Sequence, residues 1–144
     1  MAGACVIYDN KVLVLQQKED GPQPLKWGPP GGHGEKSEKP IDTATREVKE
    51  ETNLSIKIQG LVSASIAETP SGKIFAVIIY SAKPLNVDGI QISNESNEYR
   101  WVDIGELEDL DLREESLREI LMRSLSQSPA PLDTFNIVKF REEH

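Results

Sequence analysis

The sequence predicts a mixed α/β or α+β domain in which a β-sheet packs against helices. Three observations predict it: short runs rich in Val, Ile and Leu that are separated by turn residues, apolar residues recurring at helical spacing in two later segments, and a length of 144 residues. That length is ordinary for one domain, so we expect residues 1–144 to form a single unit. The predicted order of elements is β-β-α-β-β-β-α.

The first part of the chain predicts a hairpin followed by an unusual loop. Residues 4–8 and 12–17 are strand-like, and Asp9-Asn10-Lys11 between them is typical of a tight turn. Residues 27–34 contain four glycines and two prolines beside Trp27. Such a composition predicts a stiff, sharply bent loop.

Helical spacing appears twice. Ile41, Ala44 and Val48 form an apolar stripe that predicts a helix over residues 41–52, with Pro40 in its first turn. A later helix is expected to run from Asp111 to about Leu125. The strings Asp103-Ile-Gly-Glu106 and Asp111-Leu-Arg-Glu114 both have the capping-box pattern that begins helices. Between and after the helices, strands are predicted at residues 54–67, 73–82, 98–102 and 134–140.

Composition limits the classes of partner. Acidic residues number 24 against 16 Lys and Arg, a net charge of −8, which excludes nucleic-acid polymers and anionic membranes as expected partners. Taken alone, that charge also disfavours phosphate-bearing ligands. No apolar run is long enough to span a bilayer, and no signal peptide is predicted. With Cys5 as the single cysteine, a cytoplasmic protein without an intrachain disulfide is expected.

Acidic residues concentrate on one face of the first predicted helix. Glu47, Glu50 and Glu51 are related as i, i+3 and i+4, so their carboxylates lie side by side. A solvated charged face is the simple interpretation, but the Gly-rich loop leads into this helix. A divalent cation would remove the repulsion, and oxygen ligands favour Mg²⁺, or Mn²⁺ as its substitute.

The same stretch resembles a known family. The pattern Gly-x5-Glu-x7-Arg-Glu-U-x-Glu-Glu-x-Gly-U, with U aliphatic, is the signature of the Nudix hydrolases. The matching positions here are Gly32, Glu38, Arg46, Glu47, Val48, Glu50, Glu51 and Leu54. Asn53 replaces the last glycine, and because Asn tolerates a left-handed backbone at a helix end, we expect the segment to keep its shape.

The resemblance implies a Nudix-type α/β/α sandwich, with a mixed sheet between helices, and a metal site. The implied ligands are the carbonyl of Gly32 and the carboxylates of Glu47, Glu50 and Glu51. Glu47 is either a ligand or the base that activates water, with Arg46 holding it in place. Glu38 is implied as a supporting carboxylate.

The resemblance also implies one further carboxylate, on a loop outside this segment and ahead of a tryptophan. Glu95 and Glu98 both precede Trp101. Glu95 is the better placed of the two, since it lies in a predicted loop, whereas Glu98 alternates with Arg100 along a predicted strand. We therefore assign Glu95 the catalytic role and leave Glu98 as the alternative.

The implied activity is Mg²⁺-dependent hydrolysis of a diphosphate linkage in a nucleoside triphosphate or a nucleoside-diphosphate derivative. The partner is thus a small nucleotide, and the protein a monomer or homodimer. Two alternatives remain: a catalytically inactive Nudix-fold module that senses a nucleotide, and a Ca²⁺-binding domain, which the helical position of the acidic cluster disfavours. A proline near the offset of Pro70 is associated with the ADP-ribose branch, although Thr69-Pro-Ser-Gly72 is also typical of an ordinary hairpin turn. Ser71-Gly72 stand where the diadenosine-polyphosphate branch is expected to have tyrosine.

Overall fold

The computed structural model describes residues 1–126 and 137–139. The elements, in chain order, are β1 (Ala2–Tyr8), β2 (Lys11–Gln17), β3 (Trp27–Gly28), β4 (Gly31–Gly32), α1 (Pro40–Thr52), β5 (Ile56–Glu68), β6 (Ile74–Pro84), β7 (Ser96–Val102), α2 (Ile104–Leu107), α3 (Ser116–Ser126) and β8 (Ile137–Lys139). The predicted order is thus confirmed, with the short strands β3 and β4 and the short helix α2 in addition. No helix in these ranges is long and apolar enough to cross a membrane.

The strands form one mixed, eight-stranded sheet. Its main order is β3-β2-β1-β6-β5-β8, with β4 paired to β1 and β7 paired to β2. The β1–β6 and β5–β8 pairs are parallel, and the others are antiparallel. The strand predicted at residues 134–140 is present as Ile137–Lys139, and its other residues lie outside the described ranges.

The sheet is buried on both faces, which explains why its strands are nearly continuous apolar runs. On one face, Val48 of α1 packs with Val6 and Leu13. On the other, Leu121 of α3 packs with Cys5, Val12 and other apolar residues. Neighbouring strand residues thus point to opposite cores, as the period of two requires. The predicted mixed sheet between helices is confirmed.

The turn predicted at Asp9-Asn10-Lys11 is present but consists of two residues. Asp9 and Asn10 both have positive φ, 53° and 59°, as a two-residue hairpin turn needs. Tyr8 pairs with Lys11, so Lys11 begins β2 and is not a turn residue. In α1, Ala44 and Val48 are buried as expected, but Ile41 is 41% exposed. Thr43 and Thr52 complete the buried face in its place.

One of the two predicted capping boxes is wrong. Asp103 accepts from the Glu106 amide and Glu106 accepts from the Asp103 amide, so the first box exists, on a helix of four residues. At Asp111 the chain is extended, because its carbonyl accepts from the Trp27 amide at 2.8 Å and the Arg113 amide donates to the Trp27 carbonyl at 2.8 Å. Helix α3 therefore begins later, at Ser116.

The predicted loop at residues 27–34 contains two short strands. In β4, Gly31 pairs with Gly3 of β1. The two backbones are so close that a Cβ on Gly31 would lie 2.8 Å from the Gly3 Cα, and one on Gly3 would lie 2.6 Å from the Pro30 carbonyl oxygen. This contact needs glycine on both strands, and it fixes the following residue, Gly32, beside α1.

Asn53 ends α1 with φ 64° and ψ 10°, and its amide donates to the Lys49 carbonyl at 2.9 Å. We expect Asn53→Ala to lower the free energy of unfolding by about 1 kcal/mol, because a Cβ residue without a polar side chain is strained in this conformation. Asn53→Gly should stay within about 0.5 kcal/mol of the wild type. Urea unfolding measures both, and an unchanged Asn53→Ala protein would contradict the prediction.

Candidate active site

The Gly-rich segment and the acidic face of α1 meet directly. The Gly31 amide donates to Glu51 Oε1 at 2.9 Å. A Cβ on Gly32 would lie 2.5 Å from the carboxyl carbon of Glu47, so only glycine lets that carboxylate approach the backbone. The predicted site residues of the loop and of the helix are thus brought together.

Arg46 holds the carboxylates of this face in position. Its Nε and Nη2 donate to the two oxygens of Glu38 at 2.9 and 3.0 Å, a paired contact. Its Nη1 donates to Glu47 Oε1 at 2.9 Å and to Glu50 at 3.3 Å, and Nη2 also donates to the His33 carbonyl at 3.0 Å. The guanidinium therefore links the loop to three carboxylates and stabilises their negative charge.

Glu38 is the main anchor of Arg46. Hydrogen bonds from Arg46, from the Thr43 hydroxyl and from the Glu35 amide lower the pKa of Glu38 to about 2. A carboxylate that accepts this many bonds stays ionised at any ordinary pH. The supporting role expected for Glu38 therefore has a structural basis in its hold on the arginine.

Glu51 has the opposite environment. Burial raises the pKa of its carboxyl to about 8, against the opposing effects of the Gly31 amide and the positive charge of Arg113, while the charges of Glu47 and Glu95 raise it further. Desolvation disfavours the charged form of a carboxyl group. Glu51 is consequently the member of the group with the most to gain from a bound cation.

Glu95 reaches the group through a loop that is attached to the end of α1. The Gln91 amide donates to the Thr52 carbonyl at 2.9 Å and the Ser93 amide donates to the Glu51 carbonyl at 3.1 Å, which satisfies carbonyls that a helix end leaves free. One cleft is lined by Gly31, Gly32, His33, Glu47, Glu50, Glu51, Ser93 and Glu95. Glu98 is absent from that lining; it forms an ion pair with Arg100 at 2.9 Å on β7.

Comparison with known proteins decides the family. A model described as the NUDIX domain matches residues 1–123. A curated relative from Caenorhabditis elegans, an asymmetrical bis(5′-nucleosyl)-tetraphosphatase, is 37% identical over 115 residues, 75% of this chain and 80% of its own. This chain belongs to the Nudix hydrolases. A mouse protein of the same name is 32% identical over 105 residues, 68% of this chain and 69% of its own.

Solved structures agree with this assignment. A NUDIX hydrolase from Nitrosomonas europaea superposes with a TM-score of 0.76 at 23% identity, covering 92% of this chain and 91% of its own. A C. elegans Ap4A hydrolase has a TM-score of 0.69 at 26% identity and covers 88% of this chain and 95% of its own. The fold is therefore that of the family, and this Nudix hydrolase acts on a pyrophosphate linkage in a nucleotide derivative.

The donor atoms that line the cleft are of the chemical type that a hard divalent cation binds. It offers carboxylate oxygens and backbone carbonyls and lacks thiolates, which is the chemistry that Mg²⁺ selects. Within residues 1–126 and 137–139, no three Asp, Glu, His or Cys side chains already stand as a metal cage. Arg46 holds Glu47 and Glu50, and Glu51 is turned to the Gly31 amide. Mg²⁺ does not need a complete cage, since it keeps waters and takes phosphate oxygens.

A larger cavity of about 800 Å³ opens beside the cleft and shares with it Gly31, Gly32, His33, Glu51 and Glu95. Its volume suits a nucleotide-sized ligand. Apolar side chains of β2, β6 and α3 line it: Leu15, Val77, Ile79, Leu117 and Ile120. Two cationic side chains, Lys18 and Arg113, join them. No local pattern points to Arg113, because its contact with the Pro29 carbonyl spans 84 residues of chain.

The environment of Glu38 predicts a pH dependence of stability. Its pKa is lowered in the folded protein, so its contribution is complete above the unfolded value near 4.5 and is lost as pH falls towards 2. We expect Glu38→Gln to lower the melting temperature by several degrees at neutral pH. Between pH 4.5 and 2 the variant should lose less stability than the wild type. Thermal unfolding over this pH range measures the difference, and parallel curves for the two proteins would contradict it.

Proposed function

We propose that this Nudix hydrolase is a Mg²⁺-dependent enzyme that cleaves a diphosphate linkage in a bis(5′-nucleosyl) tetraphosphate. The observation that carries the proposal is the cleft of four carboxylates around Gly32 at the edge of a nucleotide-sized cavity. The names of the two curated relatives support this substrate. Against it, Ser71-Gly72 occupy the region where that branch is expected to have tyrosine. A nucleoside triphosphate is therefore the second candidate.

In this proposal Glu50 and Glu51 are the main metal ligands, with Glu47 and the Gly32 carbonyl completing the set. When bound, the cation neutralises the charge that develops on the phosphate oxygens. Arg46 positions Glu47 and Glu50 and keeps their charges stabilised while the cleft is empty of substrate. Because Gly32 has no side chain, the Glu47 carboxylate lies directly against the loop backbone.

We infer that Glu95 is the base. Its exposed carboxylate forms no ion pair within the described residues, whereas Glu47 is held by Arg46. A free carboxylate at the cleft can take a proton from water as the water oxygen attacks phosphorus and the bond to the leaving phosphate breaks. Glu47 remains the alternative base, as its position in the same cleft allows.

Several expectations from the sequence stay proposals. These are the choice of Mg²⁺ over Mn²⁺, a cytoplasmic location, a monomeric or homodimeric state, and one domain over residues 1–144. A nucleotide sensor without catalysis is the competing function, and the complete set of Glu47, Glu50, Glu51 and Glu95 favours the enzyme. A site that no longer catalyses a reaction has no need to keep carboxylates that repel each other.

A substrate panel tests the proposed function. With Mg²⁺, we expect hydrolysis of bis(5′-adenosyl) tetraphosphate in preference to ATP and ADP-ribose, and none of the three should be cleaved in excess chelator. Glu51→Gln should lower kcat by about 100-fold or more, because it removes a ligand of the ion. It should also abolish the rise in melting temperature that Mg²⁺ produces in the wild type. Tight nucleotide binding without phosphate release would favour the sensor instead.

A matched pair of variants tests the base. Glu95→Gln should lower kcat by about 100-fold or more and leave the Mg²⁺-induced rise in melting temperature intact. Glu98→Gln, on the neighbouring strand and outside the cleft, should have the kcat of the wild type. If Glu95→Gln keeps full activity, while Glu47→Gln loses activity and still shows the Mg²⁺-induced rise in melting temperature, the base is Glu47.

A further inference from the structure

Arg113 has hydrogen-bonding capacity that the protein does not use. Of all buried side-chain nitrogen and oxygen atoms in the described residues, its Nε is the one without a hydrogen-bond partner. Its single side-chain bond runs from Nη2 to the Pro29 carbonyl at 2.7 Å. A guanidinium carries five N–H donors, and buried donors are normally satisfied. The fold alone therefore does not explain this side chain.

The position of Arg113 is tightly fixed. Its amide donates to the Trp27 carbonyl at 2.8 Å, and its own carbonyl accepts from Gln23 Nε2 at 2.7 Å. The guanidinium packs against Gly28, where a Cβ would lie 2.2 Å from Nε and 2.3 Å from Nη2. Glycine at position 28 is thus a condition for the guanidinium to lie where it does.

No salt bridge to a described carboxylate holds the Arg113 guanidinium, and the charge of Glu51 acts on it only from a distance. None of the described carboxylates forms an ion pair with it within 4.0 Å. Yet it lines the same cavity as Glu51 and Glu95. A buried cation with no salt bridge and an unused N–H group is unfavourable, and an anionic ligand would relieve this cost. Arg113 is therefore suited to an anionic ligand that lies in the cavity and extends into the neighbouring carboxylate cleft.

We propose that Arg113 binds a phosphate group of the nucleotide in the cavity next to the carboxylate cleft. The inference rests on the proposed function, because it takes a nucleotide as the ligand of this cavity. Arg113 is then a substrate-binding residue, and Gly28 is the residue that positions it. Charge-assisted bonds from a planar guanidinium suit phosphate oxygens well.

Two ligands that differ in phosphate alone test the proposal. α,β-Methylene-ADP carries phosphates and resists hydrolysis between them, while adenosine has none. Arg113→Gln should weaken binding of α,β-methylene-ADP in the presence of Mg²⁺ by about tenfold or more, and should leave adenosine binding unchanged. Arg113→Lys, which keeps the charge, should recover part of the affinity. Gly28→Ala should resemble Arg113→Gln, because it displaces the guanidinium without removing it.

Arg100→Gln is the matched control. Arg100 pairs with Glu98 and lies over the Trp27 ring, 4.6 Å from its centroid, outside the cavity lining, so both ligands should bind this variant as they bind the wild type. An equal loss for adenosine and α,β-methylene-ADP in Arg113→Gln would show that Arg113 only holds the Pro29 segment. No loss for either ligand would likewise overturn the proposal.

A measurement on the wild type covers the case in which Arg113→Gln fails to fold. The Nε–H resonance of Arg113, identified by its absence from Arg113→Lys, should shift when α,β-methylene-ADP is added and stay in place with adenosine. An unmoved resonance at saturating nucleotide overturns the proposal. Hydrolysis assays separate the two levels of inference. If the wild type and Arg113→Gln cleave dinucleotides with the same KM, the role of Arg113 is rejected and the proposed activity stands. If nucleotide binding depends on Arg113 but no nucleotide is cleaved, the proposed activity is rejected and the role of Arg113 stands.

Discussion

The site depends on Arg46, whose positive charge offsets the repulsion among several neighbouring carboxylates. Glu47, Glu50 and Glu51 share a helix face, and their mutual repulsion increases as water is excluded. Arg46 offsets this repulsion because a single guanidinium contacts Glu38, Glu47 and Glu50 at once. Glu38 gives the arginine its orientation through a paired contact on the side away from the cleft. The network leaves Glu51 out, and burial, with smaller contributions from the charges of Glu47 and Glu95, raises its pKa to about 8.

The position of this network follows from backbone packing in the sheet. Gly3 and Gly31 approach more closely than side chains permit, which brings β4 against β1 and Gly32 against Glu47. Because β1 lies inside the sheet, the loop side of the site is paired to a buried strand. The other side is α1, whose Val48 is fully buried under the same sheet. The close approach of Gly32 to Glu47 therefore does not rely on a flexible segment.

What could be predicted from the sequence is what local spacing determines. The i, i+3, i+4 relation put three carboxylates on one face, and the turn at Asp9-Asn10 and the αL end at Asn53 follow from local backbone preferences. Long-range contacts decided the rest. The capping box expected at Asp111 does not form, because the Asp111 backbone pairs with Trp27, 84 residues earlier in the chain. Ile41 fits the helical period and is exposed all the same, since the sheet covers the helix face of Thr43 and Thr52 instead.

The positions of Glu95 and Arg113 at the site also depend on long-range contacts that local sequence patterns do not predict. Glu95 reaches the cleft because two backbone amides of its loop satisfy the free carbonyls at the end of α1, a docking that no local pattern encodes. Arg113 reaches the cavity because Gly28 leaves room for it. Net charge alone argued against a phosphate ligand, but net charge says nothing about where charges lie. The acidic cluster offers carboxylate oxygens of the kind that cations take, Arg113 lies beside it without a salt bridge in the described residues, and a phosphate chain between a bound cation and Arg113 would meet positive charge at both ends.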